Sequence, residues 1–123
     1  MNLDDLNRAV TEAILRAEHL LPGSWEAQAA FREVSEIEEA IAAIVGAKDV
    51  EGEIARLGAV SAALSAGEPL RAAQLAECYS RDDLSDGCGT KVDELRKQAD
   101  AEIQSAAIDS PEVRPVTFRL QAA

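Results

Sequence analysis

Apolar residues in SWEAQAAFREVSEIEEAIAAIV, residues 24–45, return in alternating steps of three and four: Ala27, Ala30, Val34, Ile37, Ile41 and Ile44. That spacing is the seam of an α-helix packed lengthwise against another helix. Phe31 and Val45 widen the stripe, whereas Glu26, Arg32, Glu33 and Glu36 fall on other faces. Pro22 and Gly23 stop the chain before it, Ser24 is placed to cap the first turn, and Gly46 to end the helix in a left-handed conformation. Leu3, Leu6, Val10, Ala13, Ala17 and Leu20 repeat the spacing and predict an earlier helix over residues 3–21. Asn2 can cap it, and Asp4 and Asp5 suit the positive end of its dipole. So short a connection makes the two helices an antiparallel hairpin with matched seams. His19 lies where an imidazole can bond the last carbonyls of the first helix, a structural role.

A third helix is expected over residues 49–66, with Val50, Ile54, Leu57, Ser61 and Leu64 on one face. Gly52 and Gly58 sit inside it, each costing about 1 kcal/mol relative to alanine. With Ala55, Ala59, Ala62 and Ala63 they make a nearly smooth surface. Such a surface suits a close helix crossing, within the chain or with a second copy; the alternative is two glycines tolerated in a helix held by its neighbours. Gly67 ends this helix, and Pro69 opens a fourth at a position where its missing N–H costs nothing. Leu70, Ala73, Leu75, Ala76 and Tyr79 carry the apolar side of that helix, which ends near Tyr79. Residues 80–89 read as a polar loop. Thr90 then starts a fifth helix, with Asp93 as its capping-box partner and Val92, Leu95, Ala99, Ile103 and Ala106 as its buried stripe. Asp93 and Lys97 form a favourable i, i+4 pair.

After Ser110 the pattern changes. Pro111 and Pro115 rule out a continuing helix, and residues 116–121 alternate apolar and polar with period two, as a strand does. Nothing earlier reads as a strand that could pair with this segment, and backbone groups taken out of water need partners. The fold class is therefore all-α: a small antiparallel bundle of four to five helices over residues 1–109, with an extended, strand-like C-terminal arm over 110–123. The arm is the candidate partner-binding element, through Val113, Arg114, Val116, Phe118, Arg119 and Leu120. It carries net positive charge, Arg114 and Arg119 against Glu112.

Composition makes the body unusual. Of 123 residues 24 are alanine, against one Trp, one Tyr and two Phe. Small side chains let helices approach closely but bury little, since 100 Å² of apolar area is worth roughly 2.5 kcal/mol. Self-association or a partner would strengthen such a core. Twenty-three acidic residues oppose twelve basic ones, for a net charge of −11. That disfavours direct contact with nucleic acid or an anionic membrane, keeps the surface solvated, and suits a basic partner. The longest apolar run, residues 40–47, is far short of a membrane span, and Asp4 and Asp5 do not suit a signal peptide. A cytoplasmic protein, or one built into a particle assembled there, is expected. Cys78 and Cys88 fit neither a zinc knuckle nor a redox pair, and free thiols are expected.

Motifs for chemistry fall short. A di-metal carboxylate bundle needs Glu-x-x-His on two helices, and the chain has one His, with Arg16 three residues before it. Glu36, Glu38 and Glu39 form a carboxylate cluster expected on the solvated side. Residues 82–87, DDLSDG, faintly resemble a calcium loop, but Leu84 stands at the third position and Asp93 at the twelfth. An acidic turn is the better reading. A helix-turn-helix about Gly67 fails because the next helix offers only Arg71 against Glu68 and Glu77. No catalytic residue, cofactor or metal is expected.

Three readings follow, the third being an enzyme or ligand-binding bundle whose catalysis would need groups from a partner chain. The first is a non-enzymatic assembly adaptor that docks its arm onto a neighbouring subunit, another protein or a copy of itself. Phage head-to-tail connectors and secretion systems use small helical pieces with arms, a likeness at fold level only. The second is an acidic inhibitor or immunity-type protein that blocks a basic cleft, with salt-sensitive affinity.

Overall fold

Capping sets the first two helix starts. The Asp5 amide donates to Asn2 Oδ1 at 2.8 Å, and α1 runs Leu3–Glu18. The Ala27 amide donates to Ser24 Oγ at 3.2 Å, and α2 runs Trp25–Ile44. The computed structural model describes residues 2–109, and three more helices complete it: α3 Val50–Ser65, α4 Pro69–Ser80 and α5 Asp86–Asp109. Among the described residues there is no strand. The expected arm, with Val113, Arg114, Val116, Phe118, Arg119 and Leu120, lies outside them.

Helix ends follow local chemistry, with two corrections. Gly23 and Gly67 take the left-handed conformation, at φ 82° and 72°. Gly46 does not; α2 ends instead at Val45, whose extended backbone (φ −100°, ψ 133°) leads the chain off the helix. The fifth helix begins at Asp86 rather than Thr90, so the polar connection shrinks to residues 81–85. Ser85 is the cap: its Oγ accepts the Cys88 amide at 3.3 Å, and its carbonyl accepts the Gly89 amide at 2.8 Å. Burial of Cys88 holds the two-glycine first turn down, and the Thr90 hydroxyl donates back to the Asp86 carbonyl at 2.9 Å.

The helices alternate in direction. Leu3 lies with Ile44 and Val45, and Arg16 pairs with Glu33 at 3.1 Å, so α1 and α2 form the expected hairpin. The Ser35 hydroxyl donates to the Ala59 carbonyl at 2.7 Å, joining α2 to α3. Arg71 reaches from α4 to Ser35 and Glu39 of α2. Ile103 and Ala106 of α5 lie beside Leu70 and Gln74 of α4. The central helix is α3, which packs on α2, α4 and α5.

That position inverts the expected face of α3. Val50 and Ile54 are 71% and 60% exposed, Ser61 is exposed, and Leu57 and Leu64 are only partly covered. Gly52, Ala55, Arg56, Ala59, Val60, Ala62 and Ala63 are the buried set. A helix wedged among three neighbours must present its smallest side chains to them, because larger ones would hold the neighbours apart. The smooth surface is thus the crossing itself. Leu70 of α4 is likewise exposed, and Ala72 takes the buried place. In α5, Val92 and Ala99 are buried while Ala106 is exposed.

Gly52 marks the tightest approach, where an added Cβ would run into the backbone carbonyl of Gly46. Overpacking against backbone typically costs 1–3 kcal/mol, more than the about 1 kcal/mol of helix propensity an alanine gains. Gly52→Ala is therefore expected to lower the melting temperature. An unchanged or higher value would mean that the α2–α3 connection gives way freely.

Candidate functional site

The ends of the bundle, not its middle, carry most of its large exposed apolar side chains. Ser65 of α3 shares a depression with Ala17, Pro22 and Phe31, and Glu68 of α4 lies 3.5 Å from Arg32 of α2. The end of α1, the start of α2, the α3–α4 turn and the end of α5 therefore gather at one pole. Leu21, Trp25 and Leu70 stand exposed there, at 75%, 76% and 62%. Ile44, Val50 and Ile54 are exposed at the opposite pole.

At the first pole an open depression is lined by Glu68 and Arg71 of opposite charge, with Pro69, Leu70, Ile103 and Ala106 as its apolar part. Glu68 is the N-cap of α4 but accepts no capping hydrogen bond. Its Oε2 faces Arg32, while its Oε1 is buried without a hydrogen-bond partner. A carboxylate oxygen left in that state carries an uncompensated desolvation cost.

At the second pole Arg56 is a buried clasp. Its Nε donates to Asp82 Oδ2 at 2.8 Å, Nη1 to the Val45 and Gly52 carbonyls at 3.1 and 2.9 Å, and Nη2 to the Ala42 carbonyl at 3.2 Å. The guanidinium carbon lies 5.6 Å from the centroid of the Tyr79 ring, within cation–π range. One side chain thus closes the negative end of α2 and ties it to the α4–α5 connection. Lys48 with Asp83, at 2.9 Å, and the Ser85 amide on Glu53, at 2.9 Å, fasten the same connection. Tyr79 keeps its hydroxyl unpartnered, and burial pushes that phenol up to about 12.

The carboxylate cluster on α2 is a further correction. Glu36 and Glu39 are exposed, as expected, but Glu38 is buried at 7% exposure. Its carboxyl lies over Gly58, in the space a Cβ there would fill. Among the described residues no donor or cation pairs with it, and burial pushes its pKa up to about 7. The helical period does place residue 38 one step from Ile37, beside the buried stripe. What sequence could not show is that the notch at Gly58 faces it.

The remaining candidates have structural duties. His19 Nδ1 meets the Leu15 carbonyl at 2.6 Å, so that nitrogen carries the proton. Cys78 is exposed and Cys88 buried; both are free, and burial pushes the Cys88 thiol up. Asp82 is engaged by Arg56, and among the described residues no group of three or more His, Cys, Asp or Glu could hold a metal ion. Asp93 and Lys97 form their pair at 3.2 Å. No described helix is long and apolar enough to cross a membrane. Compared with models of protein families, with curated proteins and with solved structures, the chain matches none.

Proposed function

We propose that this chain is a non-enzymatic assembly adaptor whose helical body is a rigid block and whose residues 110–123 dock onto a neighbouring subunit of a larger complex. The observation that carries the reading is the inverted distribution of apolar side chains. Alanines fill the interior, whereas Leu21, Trp25, Leu70, Val50 and Ile54 face out at the poles. Fully burying one such side chain against a partner is worth about 1.5–3 kcal/mol, so a complex recovers what the small core forgoes. Of the three buried polar residues, Arg56 and Ser35 are bonded to backbone and serve shape, and Glu38 fills the notch at Gly58. The charge of −11 keeps the body soluble and steers it towards a less acidic surface.

The test is native mass by light scattering, for the full chain and for one ending at residue 110. The full chain is expected to exceed its single-chain 13.1 kDa, and the shortened chain to fall to one chain's mass. Equal masses for the two would remove the role of the arm.

A further inference from the structure

We propose that Glu38 of α2 and Gly58 of α3 form a proton-operated latch at the α2–α3 crossing: the neutral carboxyl rests in the notch that Gly58 leaves, and the ionised carboxyl swings out of it into water. The latch goes beyond the adaptor reading and does not depend on it. The carboxyl and Cγ of Glu38 occupy the space in which a Cβ on residue 58 would stand. Its neighbours Glu36 and Glu39 turn to solvent, yet Glu38 is only 7% exposed. Gly58 is itself half-buried, so the notch opens on the rim of the crossing and water is one side-chain rotation away.

Nothing on the surrounding helices holds a charge in that notch. Among the described residues, Arg8 and Glu12 of α1 and Glu51 of α3 are exposed and make no bond to Glu38. Arg16 is taken by Glu33, Arg32 by Glu36 and Glu68, Arg71 by Glu39, Arg56 by Asp82, and Glu53 by the Ser85 amide. A buried carboxylate without a donor or a cation costs far more than a buried carboxylic acid, and that difference favours ionisation only once the side chain has left. The notch also adjoins the hydrogen bond that joins the two helices. Ser35 lies one turn before Glu38, and its hydroxyl donates to the carbonyl of Ala59, the residue after Gly58. The same hydroxyl accepts from Arg71 Nε of α4 at 3.2 Å. Departure of the carboxyl strips Gly58 of the side-chain atoms packed on it, and so loosens α2, α3 and α4 where they meet.

The experiment compares the full chain with its variants Glu38→Gln, Gly58→Ala and the two together, by urea unfolding at pH 5 and pH 8. Relative to Glu38→Gln, the folding constant of the parent is expected to fall about a hundredfold between the two values, as one carboxyl held near 7 when folded and 4.5 when unfolded requires. In the Gly58→Ala background a methyl group takes the notch and keeps the carboxyl in water. There the same comparison should give less than about threefold, and a hundredfold change would contradict the latch. The movement itself is read in the unaltered chain, with no substitution at Gly58, by adding a neutral gadolinium chelate that broadens the NMR signals of groups open to water. The Glu38 Cγ protons are expected to broaden several-fold more at pH 8 than at pH 5, while those of Glu36 broaden alike at both. Equal broadening of the Glu38 signals at the two values overturns the proposal.

Discussion

Arg56→Met is expected to melt far below the unaltered chain. The methionine fills much the same volume but leaves the Ala42, Val45 and Gly52 carbonyls and Asp82 without their shared donor. Breaking a buried ion pair by removing one partner typically costs 3–5 kcal/mol. Asp82 is partly open to water and regains some hydration, so about 3 kcal/mol is expected here. For a domain of this size that lowers the melting temperature by more than 10 °C, from a total stability of about 5–15 kcal/mol. Arg56→Lys should recover less than half of the loss, since one ammonium cannot span the carbonyls, the carboxylate and the Tyr79 face together. Thermal unfolding followed by far-UV circular dichroism reads both variants. A methionine variant within 2–3 °C of the parent would show that Arg56 is not the clasp.

Glu38→Gln should act in the opposite direction, with an effect that grows as pH rises from about 4.5 and is complete above 7. The carboxyl is held near 7 in the folded chain against 4.5 when unfolded, because burial disfavours its charged form. Between those values the folded state binds more proton than the unfolded state, so stability falls as pH rises through this window. Above pH 7 the full penalty is present, and a gap of this size corresponds to about 3 kcal/mol. The charged groups of the elements around it are committed elsewhere: Arg16 to Glu33, Arg71 to Glu39, Arg56 to Asp82. Glutamine keeps the shape without the charge. The variant is expected to melt several degrees above the parent at pH 8 and level with it near pH 4.5. The same difference at both values would mean that Glu38 does not titrate in the buried state.

Residues with one-sided environments were the ones the sequence made legible. In α1 and α2 most of the three-four seams are buried, as with Leu6, Val10, Ala13 and Ala17 or Ala27, Ala30, Val34 and Ile41, because one stripe of each helix meets neighbours; Ile44, expected on the α2 seam, is instead exposed at the helix end. Helix α3 has no such simplicity. Wedged among three neighbours, it buries by size rather than by hydropathy, and a periodicity reading picks the large residues that in fact stay outside. Arg56 escapes a periodicity reading for the same reason, although its spacing, four from Gly52 and three from Ala59, puts it on the small-residue face. The early start of α5 was hidden by Gly87 and Gly89, whose loop preference is outweighed by the Ser85 cap and the buried Cys88. Glu68 gives no local sign, since its neighbour Arg32 belongs to a helix far away in sequence.

The proposed division of labour between a self-sufficient body and residues 110–123 given over to assembly is tested most directly by melting the chain that ends at residue 110 over a hundredfold range of concentration, beside the full chain. The account predicts one cooperative transition for the shortened chain at a temperature independent of concentration, and a full-chain transition that climbs with concentration as association stabilises the folded state. A shortened chain that unfolds broadly, or melts more than 10 °C below the full chain at its most dilute, would place residues 111–123 inside the body's own core and contradict it.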